Sequence, residues 1–364
     1  MLKFIRHLLI FLILLVLFGE LFFRFVIPAA TIPFAAQDPE YGVMYYDTSK
    51  TRDGLYTSGD LAGIKIPWHV NNYGFLADED YSPSSEKTKP RIAVIGDSYI
   101  IGMLVNWDEH VASVLEDKLN GEYDVYSLGT DMGTLVQYSQ VVDYASHHFN
   151  PDIFVFCLNS GDVESSVLNY GDFFPPNVKL NYSNERFGLV AGTLYQPDKK
   201  KRILRSSAII RYLWINKILQ LLKVGRVDVN ANPENLPDMI DSEKAGILQA
   251  AADHIIQNMA ISYPDKKFLF VIDGYRYGIY ENPDEMVYLP VSKYIGNVNP
   301  LDNVYSLDLT KMFYEDYRFN GKRFDWQHDY HWNAYAHSLV ANAIYDIMIN
   351  KIIEADNTLF LNSP

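Results

Sequence analysis

From residue 91 onward, short apolar runs alternate with longer amphipathic segments, and this alternation constrains the fold more than any other feature. The segments between the runs, such as WDEHVASVLEDKLN and MGTLVQYSQVVDYASHHF, carry apolar residues at helical spacing. Strands that alternate with helices form a parallel sheet covered on both faces. We therefore expect an α/β fold, a three-layer α/β/α sandwich around a five-stranded parallel sheet. The five predicted strands are 91–96, 123–128, 152–158, 267–273 and 303–308, and a last helix is predicted from about 333 to 352.

The N-terminus carries a long apolar run. Lys3 and Arg6 precede LLIFLILLVLFGELFFRFVIPAA, whose only charges are Glu20 and Arg24. This run approaches the ~20 apolar residues that span a bilayer. The basic flank predicts a cytoplasmic N-terminus and an outward-facing remainder, so residues 1–30 are expected to form an uncleaved anchor. A cleaved signal peptide is the alternative, because PAATIPFAAQ contains small residues, and a buried terminal helix is another.

Two segments are expected after this run, and the second contains an insertion. Residues 31–90 form an aromatic lead-in that ends in the polar linker SPSSEKTKP, and residues 91–355 form the main domain. An insertion at about 164–240 contains a predicted hairpin and a basic amphipathic helix. Its basic cluster, Lys199–Arg202, is expected either to be solvated or to contact anionic lipid headgroups or an acidic glycan.

Charge and cysteine content exclude some functions. The formal net charge of −14 argues against a nucleic-acid-binding protein, because a polyanion would be repelled over most of the surface. The single cysteine, Cys157, cannot form an intramolecular disulfide. It lies within an apolar run and is expected to pack rather than to react.

Ser98 is the first candidate for chemistry. It follows the first predicted strand in the sequence Gly96-Asp97-Ser98. The carboxyl ends of parallel strands carry the ligands in open α/β sheets. A serine at the start of the next helix would expose its hydroxyl group, although Gly-Asp-Ser is also an ordinary turn with a helix-capping residue.

A cluster of acidic and imidazole side chains lies near the other end of the chain. A serine needs an imidazole base, and that imidazole needs an orienting carboxylate. Asp329 and His331 would supply both, and Asp325 with His328 is an alternative pair. A zinc site is a further alternative, although no second ligand cluster is evident and we expect no metal and no cofactor. The residues of this cluster are Asp325, His328, Asp329, His331 and His337.

With these residues in view, the chain resembles an SGNH (GDSL-type) hydrolase of the membrane-anchored bacterial kind. RIAVIGDSYIIG resembles the first sequence block of that family, VYSLGTDMGT the second, PDIFVFCLNSGDV the third and DYHWNAYAHSLVA the fifth. The resemblance covers about residues 66–163 and 300–350. It implies a flavodoxin-like sandwich.

The resemblance also implies a role for each matching residue. Ser98 would be the nucleophile, with His331 as base and Asp329 as orienting acid. The Ser98 and Gly133 N–H groups would hold the oxyanion, with Gly129 as the alternative glycine. The family has an asparagine donor where this chain has Gly161, and Asn159 is the candidate substitute. Loss of one such donor costs ~10²–10³ in rate.

These observations predict a membrane-anchored, extracytoplasmic serine esterase or O-acyltransferase. Its expected substrate is an acyl ester, foremost acetyl, of a cell-envelope or exported carbohydrate, and its candidate partner is a membrane-bound acyltransferase. The alternative, which rests on Gly161, is a non-catalytic or weakly active carbohydrate-binding or assembly protein with the same fold.

Overall fold

The structure is a computed structural model that describes residues 2–171, 174, 176–196, 205–215, 242–326 and 329–353. Within this part of the chain, the α-helices are α1 (Leu2–Phe25), α2 (Ser98–Ile101), α3 (Val111–Lys118), α4 (Leu135–His148), α5 (Ala208–Ile215), α6 (Ser242–Ser262), α7 (Arg276–Glu281), α8 (Pro290–Gly296), α9 (Thr310–Asn320) and α10 (Ala334–Ile347).

A five-stranded parallel sheet lies at the centre, as predicted. Its strands occur in the spatial order β11-β10-β7-β5-β6. Numbered by their succession along the chain, this order is 2-1-3-4-5, which is flavodoxin-like. Two of the three inner strands, β5 and β7, are buried along their whole length, as expected for apolar runs in a sheet covered on both faces. The five strands are β5 (Arg91–Gly96), β6 (Asp124–Gly129), β7 (Ile153–Leu158), β10 (Lys267–Ile272) and β11 (Val304–Asp308).

Helices cover both faces of this sheet. On one face the core contains Leu135 of α4, Leu248 of α6 and Val291 of α8. On the other face it contains Leu115 of α3 and Val340 of α10. The predicted three-layer sandwich is therefore confirmed. The last helix begins one residue later than predicted because the side chain of Asn333 caps it, accepting from the Ala336 N–H.

The lead-in forms two small antiparallel sheets that lie against the sandwich. These sheets pair β1 (Ala35–Gln37) with β2 (Met44–Tyr46) and β3 (Asp53–Ser58) with β4 (Ile64–His69). Phe75 and Tyr81 belong to the same core cluster as α4. The Tyr81 hydroxyl also bonds to the backbone of Ser127 in β6, donating to its carbonyl at 3.0 Å. The lead-in is thus packed onto the sheet that carries the site.

The insertion contains the predicted hairpin. Strands β8 (Lys179–Ser183) and β9 (Arg186–Val190) pair antiparallel through a two-residue turn. Both turn residues, Asn184 and Glu185, have positive φ, as the tight turns that match the twist of a hairpin require. The basic cluster Lys199–Arg202 lies outside the described residues.

Helix α1 is contacted by α5 near its carboxyl end. The Glu20 carboxylate accepts hydrogen bonds from the Ala208 N–H at 2.8 Å and the Ser207 hydroxyl at 3.0 Å, and thereby caps α5. Phe23 stacks on Tyr212 with 4.3 Å between ring centroids. An 18-residue window of helix α1 has a mean hydropathy of 2.5 and none of the helix's residues is buried, so its length and composition fit a membrane span or a signal sequence.

Candidate active site

Ser98 lies at the carboxyl end of β5, in the turn that leads into α2. The Asp97 side chain caps this short helix by accepting from the Tyr99 N–H at 2.9 Å. The turn requires Gly96, because a Cβ atom there would lie 2.5 Å from the Ile100 side chain. Ser98 is the first residue of α2, so its N–H has no intrahelical acceptor. Strand β5 lies between β6 and β7, where the strand order reverses and ligands bind in such sheets.

His331 contacts Ser98, although the two residues are 233 positions apart in the sequence. It lies on β13 (Asp329–Trp332), which pairs antiparallel with β12 (Asp325–Trp326). The Nε2 atom of His331 is 2.7 Å from the Oγ atom of Ser98. Both residues are partly exposed. This contact has the geometry that a serine nucleophile and its general base require.

The residues next to Ser98 and His331 hold the pair in position. The Tyr99 hydroxyl donates to the carbonyl of Tyr330 at 3.0 Å. On the other side of His331, the Trp332 indole N–H donates to Asp273 at 3.0 Å. The side chains of Tyr99 and Trp332 are therefore each fixed by a hydrogen bond, Tyr99 to the backbone of β13 and Trp332 to the residue that follows β10.

A buried ion network that the sequence motifs do not predict supports this arrangement. Arg276 donates to Asp273 at 3.0 Å and to the Tyr99 hydroxyl at 2.8 Å, and it is 3.5 Å from Asp325. Burial raises the pKa of Asp273, and the Arg276 guanidinium opposes that shift. An acidic residue directly after a buried strand was the available signal, because such positions line the ligand edge of the sheet.

Of the two predicted acids, Asp325 and Asp329, the structure describes the side chain of Asp325 alone. The Asp325 carboxylate is paired with Arg323 at 2.9 Å and with Arg276. Its predicted partner, His328, lies outside the described residues. Asp329 belongs to β13, two positions before His331, but its side chain also lies outside the described part of the structure. Both pairings therefore stay predictions.

The loop after β7 brings Asn159 to the turn that carries Ser98. The Asn159 side chain donates to Asp97 at 2.6 Å and accepts from the Gly161 N–H at 2.7 Å. Asp162 braces the loop by accepting from the Asn159 N–H at 3.0 Å and from Tyr138 at 3.2 Å. Burial raises the pKa of Asp97 to about 6, against the opposing effects of the Tyr99 N–H and of His331. The Asn159 amide is thus fixed beside the proposed nucleophile.

The two candidate glycines differ in their surroundings. Gly133 lines the same cavity as Asn159, and its N–H donates a 3.3 Å hydrogen bond to the carbonyl oxygen of Thr130. Gly129 packs against α2, where a Cβ atom would lie 2.4 Å from the Ile101 nitrogen. A Cβ atom at Gly133 would likewise lie 2.6 Å from the Tyr138 ring, so both positions have a structural reason to be glycine.

His337 forms its hydrogen bond with the backbone of α3. It is buried, and its Nδ1 atom accepts from the Val111 N–H at 3.1 Å. Burial lowers its pKa well below the usual value. Among the residues that the structure describes, no group of three or more His, Cys, Asp or Glu side chains is placed to hold a metal ion.

Two cavities meet at His331. The polar cavity has a volume of about 630 Å³, and Asn159, Gly161 and Tyr170 are in its wall. The serine-side cavity has a volume of about 270 Å³ and includes Ser98 in its wall. His331 and Tyr99 line both cavities. A substrate bound across the Ser98–His331 pair would therefore have a separate space for each of its two halves.

No family model matches the sequence, and no curated protein matches it either. Among solved structures, the chain is similar to a two-domain esterase active on acetylated mannans, at 12% identity and a TM-score of 0.37 over 72% of this chain and 49% of that one. It is also similar to a carbohydrate esterase family 2 enzyme with a carbohydrate-binding domain from Corynascus thermopiles (Myceliophthora fergusii), at 12% identity and a TM-score of 0.35 over 76% and 68% of the two chains.

A third similar structure is a member of the lipolytic G-D-S-L family from Veillonella parvula, at 11% identity and a TM-score of 0.37 over 71% and 98% of the two chains. The chain spans about half of the length of the two-domain esterase. The strand order, the Gly96-Asp97-Ser98 turn and the fifth-block segment that brings His331 to Ser98 agree with the resemblance found in the sequence. The chain has the flavodoxin-like three-layer α/β/α fold that this resemblance predicts.

Proposed function

We propose that this protein is a serine esterase or O-acyltransferase that acts on an acyl ester of a carbohydrate. The 2.7 Å contact between the Ser98 hydroxyl and the His331 imidazole is the observation that carries the proposal. A neutral imidazole at this distance can take the hydroxyl proton as the oxygen attacks a carbonyl carbon.

The reaction would proceed in two steps. Ser98 Oγ bonds to the acyl carbon while its proton moves to His331 Nε2, and the carbon–oxygen bond to the leaving alcohol breaks as that alcohol takes the proton. Water or a sugar hydroxyl then attacks the Ser98 ester and gives its proton to His331, which returns it to Ser98. The N–H groups of Ser98 and Gly133 and the Asn159 amide are the proposed oxyanion donors. Asp329 is the proposed orienting acid.

The polar cavity is the proposed site for the alcohol half of the substrate. Its wall combines hydroxyl and amide groups with an aromatic ring at Tyr170. Such a lining suits a carbohydrate, whose hydroxyl groups need hydrogen-bonding partners and whose ring faces stack on aromatic side chains. We propose acetyl as the smallest acyl group that the site accepts.

We further propose that α1 is an uncleaved anchor that holds the domain outside the cytoplasmic membrane. The bonds from Ser207 and Ala208 to Glu20 support this proposal, because cleavage after α1 would remove the cap of α5. A membrane-bound acyltransferase is the proposed partner if the acyl group passes to a sugar.

A fluorophosphonate probe tests the proposed chemistry. The full chain in nanodiscs should be labelled, Ser98→Ala should abolish labelling, and the exposed control Ser49→Ala should not change it. Replacement of His331 by Ala should slow labelling by ~10²–10⁴-fold. Release of p-nitrophenol from p-nitrophenyl acetate then measures acylation, and mass-spectrometric detection of free acetate or of an acetylated sugar separates hydrolysis from transfer.

The alternative function, a non-catalytic carbohydrate-binding protein, is favoured by one observation. Gly161 offers no side-chain donor at the position where the family has asparagine. If the parent chain is not labelled and does not hydrolyse the ester, the enzyme proposal is wrong and the binding function takes its place.

A further inference from the structure

The wall of the serine-side cavity combines polar and apolar residues, and the proposed acetyl group does not explain the size of its apolar part. Ser98 and His331 form part of its wall, together with three tyrosines and the charged residues Asp131 and Arg205. The rest of the wall is predominantly hydrocarbon. Its principal apolar residues are Ile32, Pro33, Ile101, Met103, Leu104 and Trp332.

The lead-in builds one side of this cavity. Ile32 and Pro33 belong to the segment between α1 and β1, and Tyr46 and Tyr56 belong to β2 and β3. Two backbone hydrogen bonds fix this segment. The Thr31 N–H donates to the carbonyl oxygen of Leu55 at 2.8 Å, and the Asp47 N–H donates to the carbonyl oxygen of Phe34 at 2.7 Å. The cavity is therefore preformed, and it depends on residues outside the five-stranded sandwich.

The volume of the cavity exceeds what an acetyl group needs. A methyl group is comparable in size to a water molecule, which takes up ~30 Å³ in the liquid. The cavity holds about 270 Å³. Each further methylene that it buries should improve binding roughly fourfold, since burial of one CH₂ contributes about 0.8 kcal/mol.

We infer that the serine-side cavity binds the acyl chain of the ester substrate and selects a linear chain of medium length over acetyl. This inference rests on the proposed function, and it makes Met103 and Ile32 residues that determine acyl specificity. The chain would extend from the carbonyl carbon attacked by Ser98 along the apolar wall, while the alcohol half occupies the polar cavity on the other side of His331.

The position of the cavity fits an acyl donor from a lipid phase. Arg205 is in its wall, and the carbonyl of the next residue, Ser206, accepts from Arg24 of α1 at 2.8 Å. Ile32 is only seven residues beyond Phe25, the last residue of α1. A fully extended chain of that length spans at most ~25 Å. The cavity therefore lies close to the end of the apolar helix.

A series of p-nitrophenyl esters with acyl groups of increasing length tests the inference on the protein in nanodiscs. The parent should hydrolyse p-nitrophenyl octanoate with a higher kcat/KM than p-nitrophenyl acetate. Met103→Trp fills the cavity and should lower the octanoate-to-acetate ratio of kcat/KM at least tenfold. Met286→Trp, the same change at an exposed position outside both cavities, should keep the parental ratio.

Binding gives a readout that does not need turnover. In a Ser98→Ala background, calorimetry should detect octanoate binding, and Met103→Trp should weaken it at least tenfold while Met286→Trp does not. Such binding without any turnover would support the cavity and contradict the proposed function. Turnover with a preference for acetate that Met103→Trp leaves unchanged would overturn the inference and keep the proposed function. If neither octanoate binding nor ester turnover is detected, the inference and the proposed function are both wrong.

Discussion

The side-chain amide of Asn159 donates a 2.6 Å hydrogen bond to the carboxylate of Asp97, the residue before Ser98. Its oxygen is held in turn by the Gly161 N–H. The amide is therefore fixed in orientation at the start of the turn that exposes the serine. An amide nitrogen carries two protons, so one N–H remains for a substrate oxyanion while the other binds Asp97.

Replacement of Asn159 by Ala should lower kcat for p-nitrophenyl acetate by ~10²–10³-fold, the usual cost of losing one oxyanion donor. Gly161→Asn in the same background should restore part of the loss, because a Cβ atom at position 161 meets nothing closer than 3.4 Å. Gly161→Ala, which adds no donor, should restore none. A kcat of Asn159→Ala within threefold of the parent would show that Asn159 is not a donor.

The buried Asp97 should make stability depend on pH. Its pKa is raised to about 6 in the fold, against ~3.9 in an unfolded chain, because burial favours the neutral carboxyl group. The stability that it contributes is fully present below pH ~3.9 and is lost as the pH rises through about 6.

Urea unfolding of the parent and of Asp97→Asn between pH 4 and pH 7.5 measures this effect. The parent should lose stability relative to Asp97→Asn as the pH rises, by roughly 3 kcal/mol at most. Asparagine also caps helices, so the comparison isolates the charge. Asp284→Asn, at an exposed position, is the control. A constant difference between parent and Asp97→Asn across this range would contradict the prediction.

Arg276→Met should destabilise the protein by ~3–5 kcal/mol, because it leaves Asp273 and Asp325 buried without their shared cation. Thermal and urea unfolding measure the change. Arg318→Met removes an exposed arginine of α9 and should stay within ~0.5 kcal/mol of the parent. Equal effects of the two replacements would show that the buried network does not stabilise the fold.

Glu20→Ala should release α5 from α1, since it removes the acceptor for the first N–H groups of that helix. The loss of such a cap costs ~1 kcal/mol, so tryptic cleavage after Arg211 in nanodiscs should become roughly fivefold faster. Glu20→Gln keeps an acceptor oxygen and should fall between parent and Ala. If all three chains are cleaved at the same rate, Glu20 does not hold α5.

The sheet could be predicted to within one residue at each strand end because local signals mark it. Each buried strand is a continuous apolar run, and Gly96 and Asp273 mark the turns that follow two of them. Ser98 and His331 could be paired because a serine nucleophile chemically requires an imidazole, whatever their separation in sequence.

The remaining features of the site depend on contacts that no local pattern encodes. Arg276 lies on a short helix after β10, and only the fold brings its guanidinium to Tyr99 and Asp325. The wall that Ile32 adds to the serine-side cavity likewise depends on how the lead-in packs. Ser98 and His331 could thus be named from the sequence as the proposed nucleophile and base, but the buried contacts around them could not.

The cap that Glu20 places on α5 has a consequence for how the protein would meet its substrate. A domain on a flexible tether moves freely about its anchor, whereas under the proposed anchoring of α1 the Glu20 cap and the stacked rings of Phe23 and Tyr212 would restrict the domain's height and tilt. With α1 in a bilayer, Ser98 would work within one thin layer parallel to the surface. The rate would then follow the number of ester groups per unit area of that layer rather than their concentration in the surrounding fluid.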